Sequence, residues 1–198
     1  MLRNVLFDLG GVLAGFDWDF IFPRFFAAED VRLARPVILR QWRALDGGFL
    51  DYDEYAAESA ALLPARLRPA VARFFDEWFT AMPPIEDTWA LAARLKARRL
   101  GVYLLSNATT RFAARAPEVF PILRLFDGVI FSAEIRMLKP DAEIFRYALS
   151  HFGIRAEESL FVDDMPENAA GAIRCGLAAH CFDGDVAALE RAIRAAGG

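Results

Sequence analysis

The 198-residue sequence predicts an α/β fold, a parallel sheet with helices on both faces, interrupted early by an inserted helical unit. Three observations predict it. Short, continuous apolar runs recur along the chain. Helical patterns alternate with those runs. One interval between runs is far too long for a single crossover.

The first run is "NVLFD" (4–8) and the second "GVYLLS" (101–106). Continuous apolar runs that end on small or acidic residues suit strands buried on both faces of a parallel sheet. Asp8 and Ser106 stand 98 residues apart, whereas a strand-helix-strand unit needs only about 30. The pattern "TWALAARLKARR" (88–99) supplies the crossover, which leaves residues 16–84 as surplus. That stretch is helical in pattern and rich in aromatic residues, among them Phe16, Trp18, Phe22, Trp42, Phe74, Phe75 and Trp78. The expected division is a core of residues 1–15 and 85–198 and an inserted helical unit, 16–84, in which these aromatics pack its own interior. "PP" at 83–84 marks the return. Strand runs "GVIFS" (128–132), "SLFVDD" (159–164) and "LAAHCF" (177–182) follow, with helical patterns at 141–152, 167–175 and 185–196 between and after them. Gly101, Gly153 and Gly176 read as helix stops and Asp141 as a helix cap.

Composition narrows the function. Hydrophobic residues make up 56% of the chain, which excludes a disordered protein. The net charge is −4 and no basic stripe is present, so nucleic acid is not an expected partner. No run is long enough to span a bilayer, and the first is too short for a signal peptide. Cys175 and Cys181 read as buried free thiols of a cytoplasmic protein. His151 and His180, the two histidines, fall in a helix and a strand pattern and read as structural. Oligomeric state leaves no signal.

The chemistry collects at strand ends, where open parallel sheets bind ligands. There the sequence places Asp8, Ser106 with Asn107, and the pair Asp163-Asp164, with Lys139 in the loop after the third strand. Each alone reads as a cap or a solvated charge. Together they solve one problem, phosphoryl transfer. A carboxylate attacks phosphorus. Mg²⁺, held by carboxylates, offsets the repulsion between two anions. A lysine adds a compact cation, and a hydroxyl near a helix start binds phosphate oxygens. Of 23 basic residues only Lys96 and Lys139 are lysine, so Lys139 meets a specific need in a chain that otherwise uses arginine.

These residues stand in four motifs, "FDLGGVL", "LLSN", "KP" and "FVDDMPEN", whose order and spacing resemble the haloacid dehalogenase superfamily over essentially the whole chain. The resemblance implies a Rossmann-like core with a helical cap inserted after the first motif. It implies a phosphatase for a small phosphate ester, with Asp8 as nucleophile and Mg²⁺ ligand and the Gly10 carbonyl as a second ligand. Asp164 would bind the metal directly, with Asp163 in support; Ser106 and Asn107 would bind the phosphoryl group, and Lys139 would steady Asp8 and the transferred phosphoryl. Phosphatases of this superfamily usually carry a second Asp, as general acid, where this chain has Gly10. Asp17 is a candidate replacement, though it also reads as a helix cap. "PEVFPIL" and "RMLKPDAEIF" are similar to a sugar-phosphate phosphatase branch acting on α-D-glucose 1-phosphate. The alternatives are a metal-independent 2-haloacid dehalogenase and a degenerate, non-catalytic member; the acid pair argues against the first.

Overall fold

The computed structural model describes residues 1–197. Five strands form one parallel sheet: β1 (Asn4–Phe7), β2 (Gly101–Ser106), β3 (Gly128–Phe131), β4 (Ser159–Asp163) and β5 (Ala178–Cys181). Their spatial order is β3-β2-β1-β4-β5. β1 is central, with Phe7 in register with Leu104 on one side and Val162 on the other. The chain leaves β1 toward β2 and β3, then returns to the opposite side for β4. The order therefore reverses between β1 and β4, and the crevice at such a switch point is where an open α/β sheet takes its ligand.

Alternation along each strand builds two packed layers. Leu6, Leu105, Ile130 and Phe161 face one side, against Ile144, Phe145 and Ala172. Those come from α9 (Ala142–Phe152) and α10 (Pro166–Arg174). Val5, Phe7, Val102, Leu104 and Val162 face the other, against Leu91, Leu95, Phe112, Leu189 and Ile193. These belong to α6 (Glu86–Ala97), α7 (Thr110–Val119) and α11 (Val186–Ala195). A short α8 (Ser132–Ile135) follows β3.

The surplus stretch holds α1 (Trp18–Ile21), α2 (Ala28–Leu39), α3 (Trp42–Asp46), α4 (Tyr52–Leu62) and α5 (Arg68–Glu77), with short 3₁₀ turns and no strand. Its two ends lie side by side. Gly15 N–H donates to the Pro83 carbonyl (2.7 Å) and Ile85 N–H to the Leu13 carbonyl (3.0 Å). Phe22, Phe74 and Phe75 fill its interior, as the aromatic content suggests. The second apolar layer runs on into this interior as one cluster.

Three local expectations need correction. Helix α6 stops at Arg99, which adopts a left-handed conformation (φ 64°), and Gly101 is already the first residue of β2. Asp141 stands at the cap position of α9, but its side chain makes no capping hydrogen bond. Of the two free thiols, Cys175 is half-buried and Cys181 is exposed. No helix among the described residues is long and apolar enough to cross a membrane.

Candidate active site

Strands β1 and β4 end side by side, so their last residues meet. Asp8, Asp163 and Asp164 each bring a carboxylate oxygen within 4.8 Å of the others. Lys139 reaches the same point from the loop before α9. Its side chain is 0% exposed and its Nζ lies 2.6 Å from Asp163 Oδ2 and 2.9 Å from Asp8 Oδ1. An ammonium taken wholly out of water is tolerable only when paired in this way. Burial alone would lower its pKa, but Asp8 and Asp163 outweigh burial and raise it, so Lys139 stays charged.

The three carboxylates have unlike environments. Asp163 is saturated: Oδ2 takes Lys139, and Oδ1 accepts from Met165 N–H and Asn168 Nδ2, both at 2.9 Å. Asp8 Oδ1 accepts from Leu9 N–H at 2.7 Å and pairs with Lys139, and the Ser106 hydroxyl also bears on the Asp8 carboxylate. Asp164 is half-buried and lines the cavity. Burial, then the charge of Asp163, pushes its carboxyl up. Burial also raises Asp8 to about 7, with Asp163 adding to it and Lys139 pulling back. Three carboxylates against one ammonium leave an excess of negative charge, and hard oxygen donors suit a divalent cation such as Mg²⁺.

Gly11, between β1 and the insertion, makes this packing possible. It is left-handed (φ 70°), and a Cβ there would stand 2.2 Å from Asp164 Oδ2. Gly10 is different: a Cβ would meet only the Phe16 side chain, at 3.4 Å. That is ordinary van der Waals contact, and Gly10 itself lines the cavity.

Ser106 ends β2, buried beside Asp8 at the cavity floor. Asn107 lines the cavity as well, but its amide clamps the backbone of Lys139. Nδ2 donates to the Lys139 carbonyl (3.0 Å) and Oδ1 accepts from its N–H (2.9 Å). The structure therefore brings together every residue singled out in the four motifs. It does not bring Asp17, which is exposed and caps α1 by accepting from Asp19 N–H.

Above the floor lies a cavity of about 350 Å³. Its roof is aromatic. Trp18, Trp42 and Trp78 pack against one another with ring centroids 5.0–5.5 Å apart. Phe16 joins at 4.8 Å from Trp18, and Phe112 stacks on Trp78 at 5.5 Å. Arg43 and Asp46 are the roof's charged residues. The aromatics were expected to serve the interior of the insertion alone, and these line the cavity too. They come from four separated stretches, and no local pattern announces their convergence.

The model of the haloacid dehalogenase-like hydrolases matches residues 2–176. A sesquiterpene phosphatase from Aspergillus oryzae is 28% identical over 177 residues, covering 88% of this chain and 87% of that protein. A D-ribitol-5-phosphate phosphatase from Bacteroides thetaiotaomicron is 30% identical over 185 residues, 85% of each. The solved structure of a HAD-like family hydrolase from Porphyromonas gingivalis superposes with a TM-score of 0.76 at 25% identity, covering 98% of both chains.

Proposed function

The chain belongs to the haloacid dehalogenase-like hydrolases and is a phosphoric monoester hydrolase, and from that premise we propose that it is a Mg²⁺-dependent phosphatase working through an aspartyl-phosphate on Asp8. One observation carries the reading: three carboxylates within 4.8 Å of one another, beside a fully buried lysine, at the floor of a closed-over cavity. Asp8, Asp164 and the Gly10 carbonyl would hold the metal, with Asp163 behind them. Bound there, Mg²⁺ supplies positive charge that offsets the repulsion between a phosphate and the carboxylates.

The chain's own residues do the rest. Asp8 Oδ2 attacks phosphorus while Oδ1 is fixed by Leu9 N–H and Lys139. Lys139 favours the ionised form of Asp8 against the effect of burial and stabilises charge on the transferred group. Asp163 and Asn107 hold Lys139 from two sides, one at its ammonium and one at its backbone. Ser106 offers a hydroxyl to the phosphoryl oxygens. Residues 1–15 and 85–198 act as the catalytic core, and 16–84 as a cap that excludes water and selects the substrate.

The roof favours a substrate whose organic part is apolar, since aromatic rings cover most of what faces the floor. The relative named for sesquiterpenes agrees with it. A sugar or polyol phosphate is the second reading, suggested by the relative named for D-ribitol 5-phosphate. Its hydroxyls would need Arg43, Asp46 and Asn168 as partners. A panel of prenyl, aryl, sugar and polyol phosphates, each assayed with Mg²⁺ and with EDTA, tests both points. Turnover that survives EDTA contradicts the metal role, and a preference for polyol phosphates over prenyl ones contradicts the apolar substrate.

A further inference from the structure

Cleaving a phosphate ester of an ordinary alcohol leaves an alkoxide unless a proton reaches the departing oxygen. The cavity contains few groups able to supply one. Its titratable lining residues are Asp8, Asp164, Lys139, Arg43 and Asp46. Asp8 is the nucleophile and Asp164 faces the metal site. Lys139 is locked between two carboxylates, and an arginine does not give up its proton. No histidine, tyrosine, cysteine or glutamate lines the cavity. Gly10 offers no side chain.

Resting on the phosphatase reading above, we propose that Asp46, on the cavity roof, is the acid that protonates the leaving oxygen and the base that later activates water. Its side chain has no hydrogen bond or ion pair to any described residue, whereas Asp8 and Asp163 at the floor are engaged. Its backbone, by contrast, is tied to the floor. Ser132 Oγ donates to the Asp46 carbonyl and accepts from Ala108 N–H, two residues beyond Ser106. Arg136 Nε donates to the Gly48 carbonyl at 3.1 Å. The turn after α3 is pressed so close to α8 that a Cβ on Gly48 would lie 2.2 Å from the Ala133 carbonyl oxygen. A loose surface turn would not be fastened this way. The result is a free carboxyl on a fastened backbone, lining the same cavity as the nucleophile.

The charged groups facing it are Asp8 and Lys139 from the floor and Arg43 from its own helix. Burial, then Asp8, raises its carboxyl to about 8 against the pull of Arg43 and Lys139, which suits a group that gives a proton near neutrality and takes it back.

The steps balance. Asp8 Oδ2 forms a bond to phosphorus as the bond from phosphorus to the ester oxygen breaks. That oxygen takes the Asp46 proton and leaves as an alcohol. The Asp46 carboxylate then takes a proton from water as the water oxygen attacks phosphorus. The bond from phosphorus to Asp8 breaks, inorganic phosphate leaves, and Asp46 is again an acid.

The test compares wild type, Asp46→Asn, Asp46→Glu and Asp8→Asn on an aryl phosphate and an alkyl phosphate, with Mg²⁺. A positioned acid contributes about 10²–10⁴ in rate, so Asp46→Asn should lower kcat/KM on the alkyl ester by about 10²-fold or more. The aryl ester, whose leaving group needs no proton, should change by less than about threefold. Asp46→Glu, which keeps an ionisable carboxyl, should recover part of the alkyl activity. An equal loss on both esters, or no loss on either, overturns the role of Asp46 and leaves the phosphatase reading standing. Undiminished turnover in Asp8→Asn, or no turnover of any ester by wild type, overturns the phosphatase reading and this inference with it.

Discussion

The floor and the roof of the cavity are built on opposite principles. At the floor, ionised groups are buried and almost every polar atom has a partner: Lys139 bridges Asp8 and Asp163, and Asp163 accepts three contacts. At the roof, aromatic rings pack edge to face and the one carboxyl, Asp46, is left free. The floor is rigid because Lys139, Asp8 and Asp163 form one buried unit in which loss of the lysine strands two buried carboxylates. The roof rests on apolar contact, which tolerates change in proportion to the area lost. The reaction should therefore be sensitive to the floor, and the choice of substrate to the roof.

Lys139→Ala should have the largest effect. It leaves Asp8 and Asp163 buried without a cation, which costs about 3–5 kcal/mol of stability. Turnover should vanish together with it. Chemical denaturation and an aryl phosphate assay check this, and a variant as stable as wild type would mean the floor is not the charged unit described. Asp164→Ala comes next. Its partners do not depend on it as those of Lys139 do, so it should fold normally while Mg²⁺ binding, read by titration calorimetry, is lost. Wild-type affinity in that variant would move the metal elsewhere.

A roof change should look different. Trp18→Ala should fold and should lower kcat/KM for an apolar ester about tenfold, since an aromatic contact is worth about 0.5–1.5 kcal/mol beyond its area. Acetyl phosphate, too small to reach the ring, should be little affected. Equal losses on both substrates would erase the distinction between the two regions.

The smallest effect is on stability against pH. Asp8, at about 7, and Asp46, at about 8, are raised above the ordinary carboxyl value of 3.8. The folded protein thus binds more protons than the unfolded chain between roughly pH 4 and 8. Metal-free stability should fall as pH rises through that window, and Mg²⁺ should flatten the part due to Asp8. Melting temperatures recorded at several pH values, with and without Mg²⁺, test this. A metal-free melting temperature that rises across the window has the wrong sign for this account.

The two regions also differ in how far the sequence reveals them. The five strands are legible as contiguous apolar runs, and three of them lead directly into floor residues: "NVLFD" into Asp8, "GVYLLS" into Ser106 and "SLFVDD" into Asp163 and Asp164. Neighbouring strands then bring the ends together with little freedom. The roof is assembled from residues 16–18, 42–46, 78–82 and 112, and only tertiary packing decides which aromatics face inward. Phe74 and Trp78 lie four apart on one helical stretch, yet one is core and the other lines the cavity. Asp46 ends the short helix α3 before two glycines, and no motif in the sequence singles it out. What distinguishes it is its backbone link to Ser132, a residue 86 positions away. Asp17 looks better placed in the sequence and proves to be a helix cap.

Central to all of this is Asp8 as a nucleophile that works beside a divalent cation. Beryllium fluoride, which mimics a phosphoryl group on a carboxylate, tests it most directly when followed by ¹⁹F NMR. Wild type with Mg²⁺ should give a bound fluoride signal that is lost on adding EDTA and absent from Asp8→Asn. A bound signal of equal strength in Asp8→Asn, or one indifferent to EDTA, would contradict the assignment of Asp8 and of the metal site around it.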